Sequence, residues 1–228
     1  AAGIDRLVHV SAIGADKSSN AKYARTKAEA ETAILAAVPK AVILRPSIVF
    51  GPEDDFFNRF ATMASGPMSS ILPLMPAIGG GKTKLQPVYA GDVADAIVAA
   101  VTRDDVAGKI YELGGPRTYT FNELYDLIFK EIGRRRFKIP LPFWFAQSLG
   151  LFFGAAFRVK SFLIGSLLGG PPLTADQVKM LKTDNVVASD ALTLADLGIT
   201  EIESAETIVP TYLWRFRPYG EFSQAGEA

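Results

Sequence analysis

No cysteine occurs in the 228 residues, which excludes disulfides, thiolate zinc sites and iron–sulfur ligation and fits a reducing compartment. The lone histidine, His9, cannot assemble an imidazole metal centre, so no metal site is expected. Charge of one sign is also missing. Lys plus Arg and Asp plus Glu balance at 24 each, and no global basic field of the kind that draws nucleic acid results. No G-x-x-G-x-x-G follows a strand-like run, so the usual cradle for a dinucleotide pyrophosphate is absent from these residues. Gly79-Gly80-Gly81 follows a proline-rich stretch and precedes Lys82 rather than a helix, and reads as a turn. The opening AAGIDRLVHV has no signal-peptide pattern and reads like the middle of a domain.

What is present is ample apolar material: 49% hydrophobic residues, enough for one large or two modest domains. The stretch VSAIGADKSSNAKYARTKAEAE, Val10 to Glu31, holds Tyr23 and Lys27 four residues apart, on one face of a predicted helix. A phenol beside an ammonium suits a dinucleotide redox site, since the cation can bind ribose hydroxyls and ease ionisation of the phenol. With 7 Tyr in the chain, such spacing arises by chance about 0.4 times, so the pair alone is weak evidence. Its surroundings add weight. A strand-like run, Leu7 to Val10, precedes it, strong helix formers surround it, and a buried-looking strand, AVILRPSIVFGP, follows.

Tyr23, Lys27, Arg45, Pro46, Gly51 and Pro52 together resemble the short-chain dehydrogenase/reductase superfamily, in its extended epimerase and dehydratase branch. QPVYAGDVADAI, PPLTADQVKMLKTDNVV and a tail with Trp214, Arg215 and Arg217 are similar to the subgroup containing the NADPH-binding accessory subunit of respiratory complex I and its bacterial relatives. The resemblance implies an α/β fold: the C-terminal part of a doubly wound Rossmann-type parallel sheet over residues 1–115, then a smaller, mostly helical region over 116–228. The family's first four or so strands are expected to lie outside these residues, leaving weak or no nucleotide binding by the 228 residues alone.

By the same resemblance, Tyr23 and Lys27 are the catalytic pair and also contact the cofactor. The backbone groups of Ser47 and Ile48, after Pro46, face the nicotinamide carboxamide. The cofactor is NADP or NAD, with NADP favoured. The family's third catalytic group, a strand-end hydroxyl, falls on Ala12, which has none. Ser11, one residue away and on the alternate face, is the remaining candidate for a catalytic or cofactor-binding hydroxyl. These departures favour a cofactor holder over an active enzyme. The partners implied are respiratory complex I subunits, and the location is cytoplasmic, peripheral to the inner membrane, or the matrix side in a mitochondrion. Two other readings stay open: an active NAD(P)-dependent epimerase, dehydratase or oxidoreductase acting on a nucleotide-sugar, sterol-like or quinone-like substrate, and a scaffold that no longer binds cofactor.

The remaining expectations are local. Phe56, Phe57, Phe60 and Met63 are helix packing, with Asp54, Asp55 and Arg59 on the solvated side. Residues 68–84 read as a covering loop, and Leu85 to Tyr89 as a strand. Asp92, near the start of the next helix, reads as a structural residue whose carboxylate can cap open amides, with active-site contact as the other reading, and Thr120 with Glu123 forms a capping box. Thr174 is an N-cap. The segment 134–170 is the unusual one, because 19 residues from Ile139 to Phe157 carry no charge. Prolines and glycines interrupt the run, and Arg134, Arg135, Arg136 and Lys138 precede it. Buried core or subunit contact, contact with a membrane surface, and a true span are the readings.

Overall fold

The computed structural model describes residues 6–159 and 174–220. Expectations that fall on 160–173, including the end of the apolar segment, lie outside the described residues. The chain forms two compact units interleaved in sequence. One is drawn from residues 6–50, 85–118 and 185–205, the other from 51–84, 119–159, 174–184 and 206–220. The expected division after residue 115 falls near one of these crossings. The others arise because the chain leaves the first unit after Phe50, rejoins it at Leu85, and rejoins it again at Asn185.

In chain order the strands are β1 (Val8–Val10), β2 (Val42–Pro46), β3 (Val49–Phe50), β4 (Leu74–Ile78), β5 (Lys84–Leu85), β6 (Val88–Tyr89), β7 (Ile110–Leu113), β8 (Tyr119–Thr120) and β9 (Phe137–Leu141). The helices are α1 (Lys22–Ala37), α2 (Phe56–Ser65), α3 (Pro67–Ile71), α4 (Ala90–Thr102), α5 (Phe121–Glu131), α6 (Phe143–Val159), α7 (Ala175–Met180), α8 (Ala205–Ile208) and α9 (Pro210–Leu213). The run from Leu85 to Tyr89 is two strands rather than one, because Pro87 supplies no N–H to a ladder.

The first unit is built on a parallel sheet in the order β1-β2-β7, with Val10 opposite Leu44 and Arg45 opposite Glu112. Side chains alternate, so each face of β2 has its own partner. Val42 and Leu44 are buried with Val93, Ala96 and Ala100 of α4 and with Tyr111 and Leu113. Arg45, on the other face, meets Glu31 of α1. Helices thus cover both faces, as a parallel sheet requires. In α1 the buried positions Ala24, Ala28 and Glu31 recur at helical spacing, and two of the three are small enough for close approach. The helix stops at Val38, whose N–H reaches the Ile34 carbonyl just before Pro39.

Asp92 does not cap α4. The helix starts at Ala90, and the buried Asp92 carboxylate instead accepts the Glu203 N–H at 3.1 Å, so it ties residue 203 to the helix start.

The second unit centres on α2 and α5. Phe56, Phe60, Phe121, Tyr125 and Phe129 contact one another through ring pairs 4.8–5.8 Å apart, mostly edge to face. The packing role of this aromatic run is therefore observed. Asp54 is not on the solvated side: it accepts the Phe57 N–H at 2.5 Å and the Tyr212 hydroxyl at 2.6 Å. The loop expected over 68–84 holds α3, β4 and a 3-10 turn at Gly79–Gly81. Met75 and Ala77 alternate inward at 2% exposure, and among the described residues β4 pairs only with β9, where Pro76 and Pro140 are tolerated at sheet edges. All three turn glycines have positive φ, between 61° and 74°.

Thr120 and Glu123 form the expected capping box at the start of α5. Replacing Thr120 by alanine should lower stability by about 1 kcal/mol, read as a lower urea midpoint at unchanged slope. Within 134–159 the chain makes β9 and then α6, which buries Ala146 and Gly150 while Trp144 and Leu151 stay exposed. Thr174 caps α7 through a box with Gln177. Among the described residues no helix is long and apolar enough to cross a membrane.

Candidate functional site

Parallel strands deliver their carboxyl ends to one side, and it is there that open α/β sheets bind ligands. The ladder continues past the strand ends of the first unit: Ser11 N–H donates to Leu44 at 2.7 Å, Ile13 N–H to Pro46 at 3.0 Å and Ser47 N–H to Leu113 at 2.9 Å. These bonds fix the three exits side by side.

Lys27 reaches the first exit. Its Nζ donates to the Val10 carbonyl at 3.3 Å and lies 5.7 Å from the centroid of the Tyr23 ring. The spacing of the two residues on α1 places both side chains at the tip of β1. Tyr23 is 47% exposed, which leaves its phenol accessible. Partial burial pushes that phenol's pKa up, so in the protein alone Tyr23 is a neutral hydroxyl at physiological pH.

Ser11 behaves differently. It is 3% exposed, and its hydroxyl has no hydrogen-bond partner. It lies close enough to the Glu31 carboxylate to favour the ionised form, although outside hydrogen-bonding geometry. Glu31 accepts Arg45 Nε at 2.9 Å and Nη2 at 2.6 Å, and Glu112 approaches the same guanidinium at 3.8 Å. Burial raises the Glu31 pKa, but the Arg45 fork more than offsets this and holds the carboxyl below its usual range. His9, on the same face, has its pKa lowered by burial and by Lys27 against the pull of Glu31, and its Nε2 lacks a partner. Ser11 thus belongs to a polar layer beneath α1 rather than to the Tyr23 and Lys27 surface.

At the second exit, Ser47 is buried and its hydroxyl donates to Asn185, at 2.6 Å to the side-chain oxygen and 3.1 Å to the carbonyl. Asn185 Nδ2 reaches the Ile13 carbonyl at 3.4 Å, so one amide side chain joins the exits of β1 and β2. Gln86 is the second such tie: Nε2 donates to the Gly115 carbonyl at 2.8 Å, and Oε1 accepts the Val187 N–H at 3.0 Å. The Ile48 carbonyl accepts the Val88 N–H at 2.9 Å. Pro46, Ser47 and Ile13 are therefore brought together, Tyr23 and Lys27 meet over Val10, and Ser11 faces Glu31. Sequence reasoning passed over Asn185 and Gln86. The only signal available was an uncharged amide inside the TDNVV segment and another beside Pro87.

The surface can hold the ribose and nicotinamide end of a dinucleotide. A cation fixed at a strand tip, a phenol beside it and backbone groups at the next exit match what that end presents. Among the described residues no glycine-rich turn at a helix N-terminus is available for the pyrophosphate. No group of three or more metal-ligating side chains occurs among them either.

A profile described as the 3-beta hydroxysteroid dehydrogenase/isomerase family matches residues 12–143. The chain is 37% identical over 202 residues to the Arabidopsis thaliana protein named NADH dehydrogenase (ubiquinone) 1 alpha subcomplex subunit 9, mitochondrial, covering 86% of this chain and 47% of that protein. The Mus musculus protein of the same name is 34% identical over 220 residues, 93% of this chain and 54% of that one. The chain spans about half the length of these curated relatives. A solved NADPH-dependent quinone oxidoreductase from Escherichia coli superposes with a TM-score of 0.63 at 20% identity, over 92% of this chain and 69% of that one, a likeness of fold.

Proposed function

Because the chain belongs to the 3-beta hydroxysteroid dehydrogenase/isomerase family, we propose that it is an NAD(P)-binding protein of the short-chain dehydrogenase type that serves respiratory complex I as a non-catalytic accessory or assembly subunit. The observation that carries this reading is Lys27 held on the Val10 carbonyl beside Tyr23, next to an Ala12 that offers no hydroxyl. Lys27 and Tyr23 bind the nicotinamide ribose. The Ser47 and Ile48 backbone meets the carboxamide through the Ser47 carbonyl and the Ile48 N–H, since the other two groups are engaged by Leu113 and Val88. Pro46 fixes the direction of that backbone. Ser11 supports the site from below through Glu31. Bound nicotinamide would supply hydride chemistry, whereas these residues bind and orient it. NADP is favoured over NAD, and the complex I role comes from the relatives that carry its name.

The location that goes with this role is the cytoplasmic face of the inner membrane, or the matrix face in a mitochondrion. Affinity purification of the whole protein from its source membranes should bring down complex I subunits with nucleotide bound. Their absence from the eluate would remove the assembly role. Lys27→Met should weaken nucleotide binding to the whole protein by a little over tenfold, the roughly 1.5 kcal/mol of a charged hydrogen bond. Equilibrium dialysis against NADPH reads this.

The accessible Tyr23 phenol favours a second reading, an active NAD(P)-dependent oxidoreductase or epimerase with Tyr23 as acid/base. Steady-state turnover on a panel of nucleotide-sugar, sterol-like and quinone-like carbonyls, abolished by Tyr23→Phe, would select it over the first.

A further inference from the structure

In the second unit, the turn after α5 carries three successive arginines. Gly133, with φ of 61°, lets the chain reverse, and Arg134, Arg135, Arg136 and Pro218 then line an open groove of about 430 Å³ with it. Neighbouring cations are neutralised. Arg217 lies 3.6 Å from the Glu131 carboxylate, and Lys138 donates to Asp126 at 2.6 Å. Among the described residues no carboxylate pairs with Arg134, Arg135 or Arg136, and Arg134 Nε is buried without a hydrogen-bond partner. Arg136 is fixed in place, donating Nε to the Ala64 carbonyl and Nη1 to the Arg135 carbonyl, each at 2.8 Å. Burial and the charge of Arg134 both lower the pKa of Arg136. Arg134 and Arg136 therefore repel one another, and an anion bound between them would relieve that repulsion.

The border of the groove indicates which anion. β9 begins immediately after Arg136, and Phe137, 70% exposed, donates its N–H to the Pro73 carbonyl at 2.8 Å. That bond sets Phe137 beside the end of α3, where Ile71 and Leu72 are 83% and 56% exposed. A free phosphate has no use for this apolar edge, whereas a phospholipid has acyl chains to meet it.

We propose that the groove of Arg134, Arg135 and Arg136 binds the phosphate of an anionic phospholipid headgroup, with Phe137, Ile71 and Leu72 entering the lipid interface. The groove belongs to the second unit, and its assay contains no nucleotide, so its failure leaves the nicotinamide reading untouched. The test is co-sedimentation of the whole protein with phosphatidylcholine vesicles, pure or doped with phosphatidylglycerol. Binding should require the anionic lipid and fall as salt rises. The double variant Arg134→Gln, Arg135→Gln should bind doped vesicles roughly thirtyfold more weakly, the effect of two charges near such a surface. Phe137→Ser should weaken vesicle binding several-fold.

Equal binding to both vesicle types, or no loss in the double variant, overturns the proposal. Stabilisation by inorganic phosphate without vesicle binding also overturns it, in favour of a free-anion site. If the double variant does not fold, the salt titration of the unmodified protein decides: binding to doped vesicles that is insensitive to salt rules out the arginine groove.

Discussion

Arg45→Met should cost the protein about 3 kcal/mol of stability or more, because it leaves Glu31 ionised and buried with no partner. The Glu31 side chain is 6% exposed and that of Arg45 23%, so solvent does little to replace the lost contact. The missing bonds are a two-pronged pair at 2.9 and 2.6 Å, the planar match that arginine makes with a carboxylate and lysine does not. Arg45→Lys should therefore recover only some of the loss. The acid side of the stability curve should change direction. In the unmodified protein Glu31 titrates below its ordinary 4.5, so the pair contributes fully above that value and its contribution is lost as pH falls through the lower, folded pKa. In Arg45→Met, burial, the largest influence on Glu31, is opposed only by Ser11 and His9, so its pKa should rise from that in the unmodified protein and acidification should relieve the variant. Urea unfolding at neutral and acid pH measures both effects, and parallel curves for the two proteins would contradict the account.

Gly115→Ala is expected to be about as damaging, for a steric reason. A Cβ at this position would stand 1.9 Å from the Pro87 carbonyl oxygen and 3.1 Å from its carbon, and both are backbone atoms that cannot rotate away. Gly115 N–H also donates to the Gln86 carbonyl at 3.3 Å, so the overlap can be relieved only by separating the segments that Gln86 holds together. A loss of about 3 kcal/mol is expected, the upper end of overpacking costs. Gly14→Ala is the control. Gly14 has φ of 80°, but a Cβ there would meet nothing within 4 Å, so only the left-handed backbone is penalised, by about 1 to 2 kcal/mol. Thermal unfolding of the two variants should rank them in that order.

What could be read in advance was what the chain encodes locally. Tyr23 and Lys27 are one helical turn apart, so their meeting over Val10 needed no tertiary information. The box of Thr120 with Glu123, three residues apart, and the Thr174 cap were legible for the same reason, while the Gln177 side of the second box was seen only in the structure. Groups whose partners are remote were not legible. Asp92 looked like a cap, yet its carboxylate bonds to residue 203; Asp54 looked solvated, yet it accepts a hydroxyl from Tyr212. Neither partner has any periodic relation to its acid. β4 was hidden by Pro76, which counts against a strand on composition but is tolerated when, among the described residues, only one neighbour is paired. Ser11 was read by its distance from Ala12, and only packing under α1 shows that its hydroxyl is turned towards Glu31.

Asn185 has a consequence for how this protein is made. The amide that joins the exits of β1 and β2 is 172 residues from Ile13 and 138 from Ser47. During translation those exits leave the ribosome before the clasp that joins them has been synthesised. Contacts so far apart in sequence form slowly, after the entropy of a long loop has been spent. The two exits thus stay unclasped while the residues between Ser47 and Asn185 are added, which is the interval in which a chaperone would have something to hold.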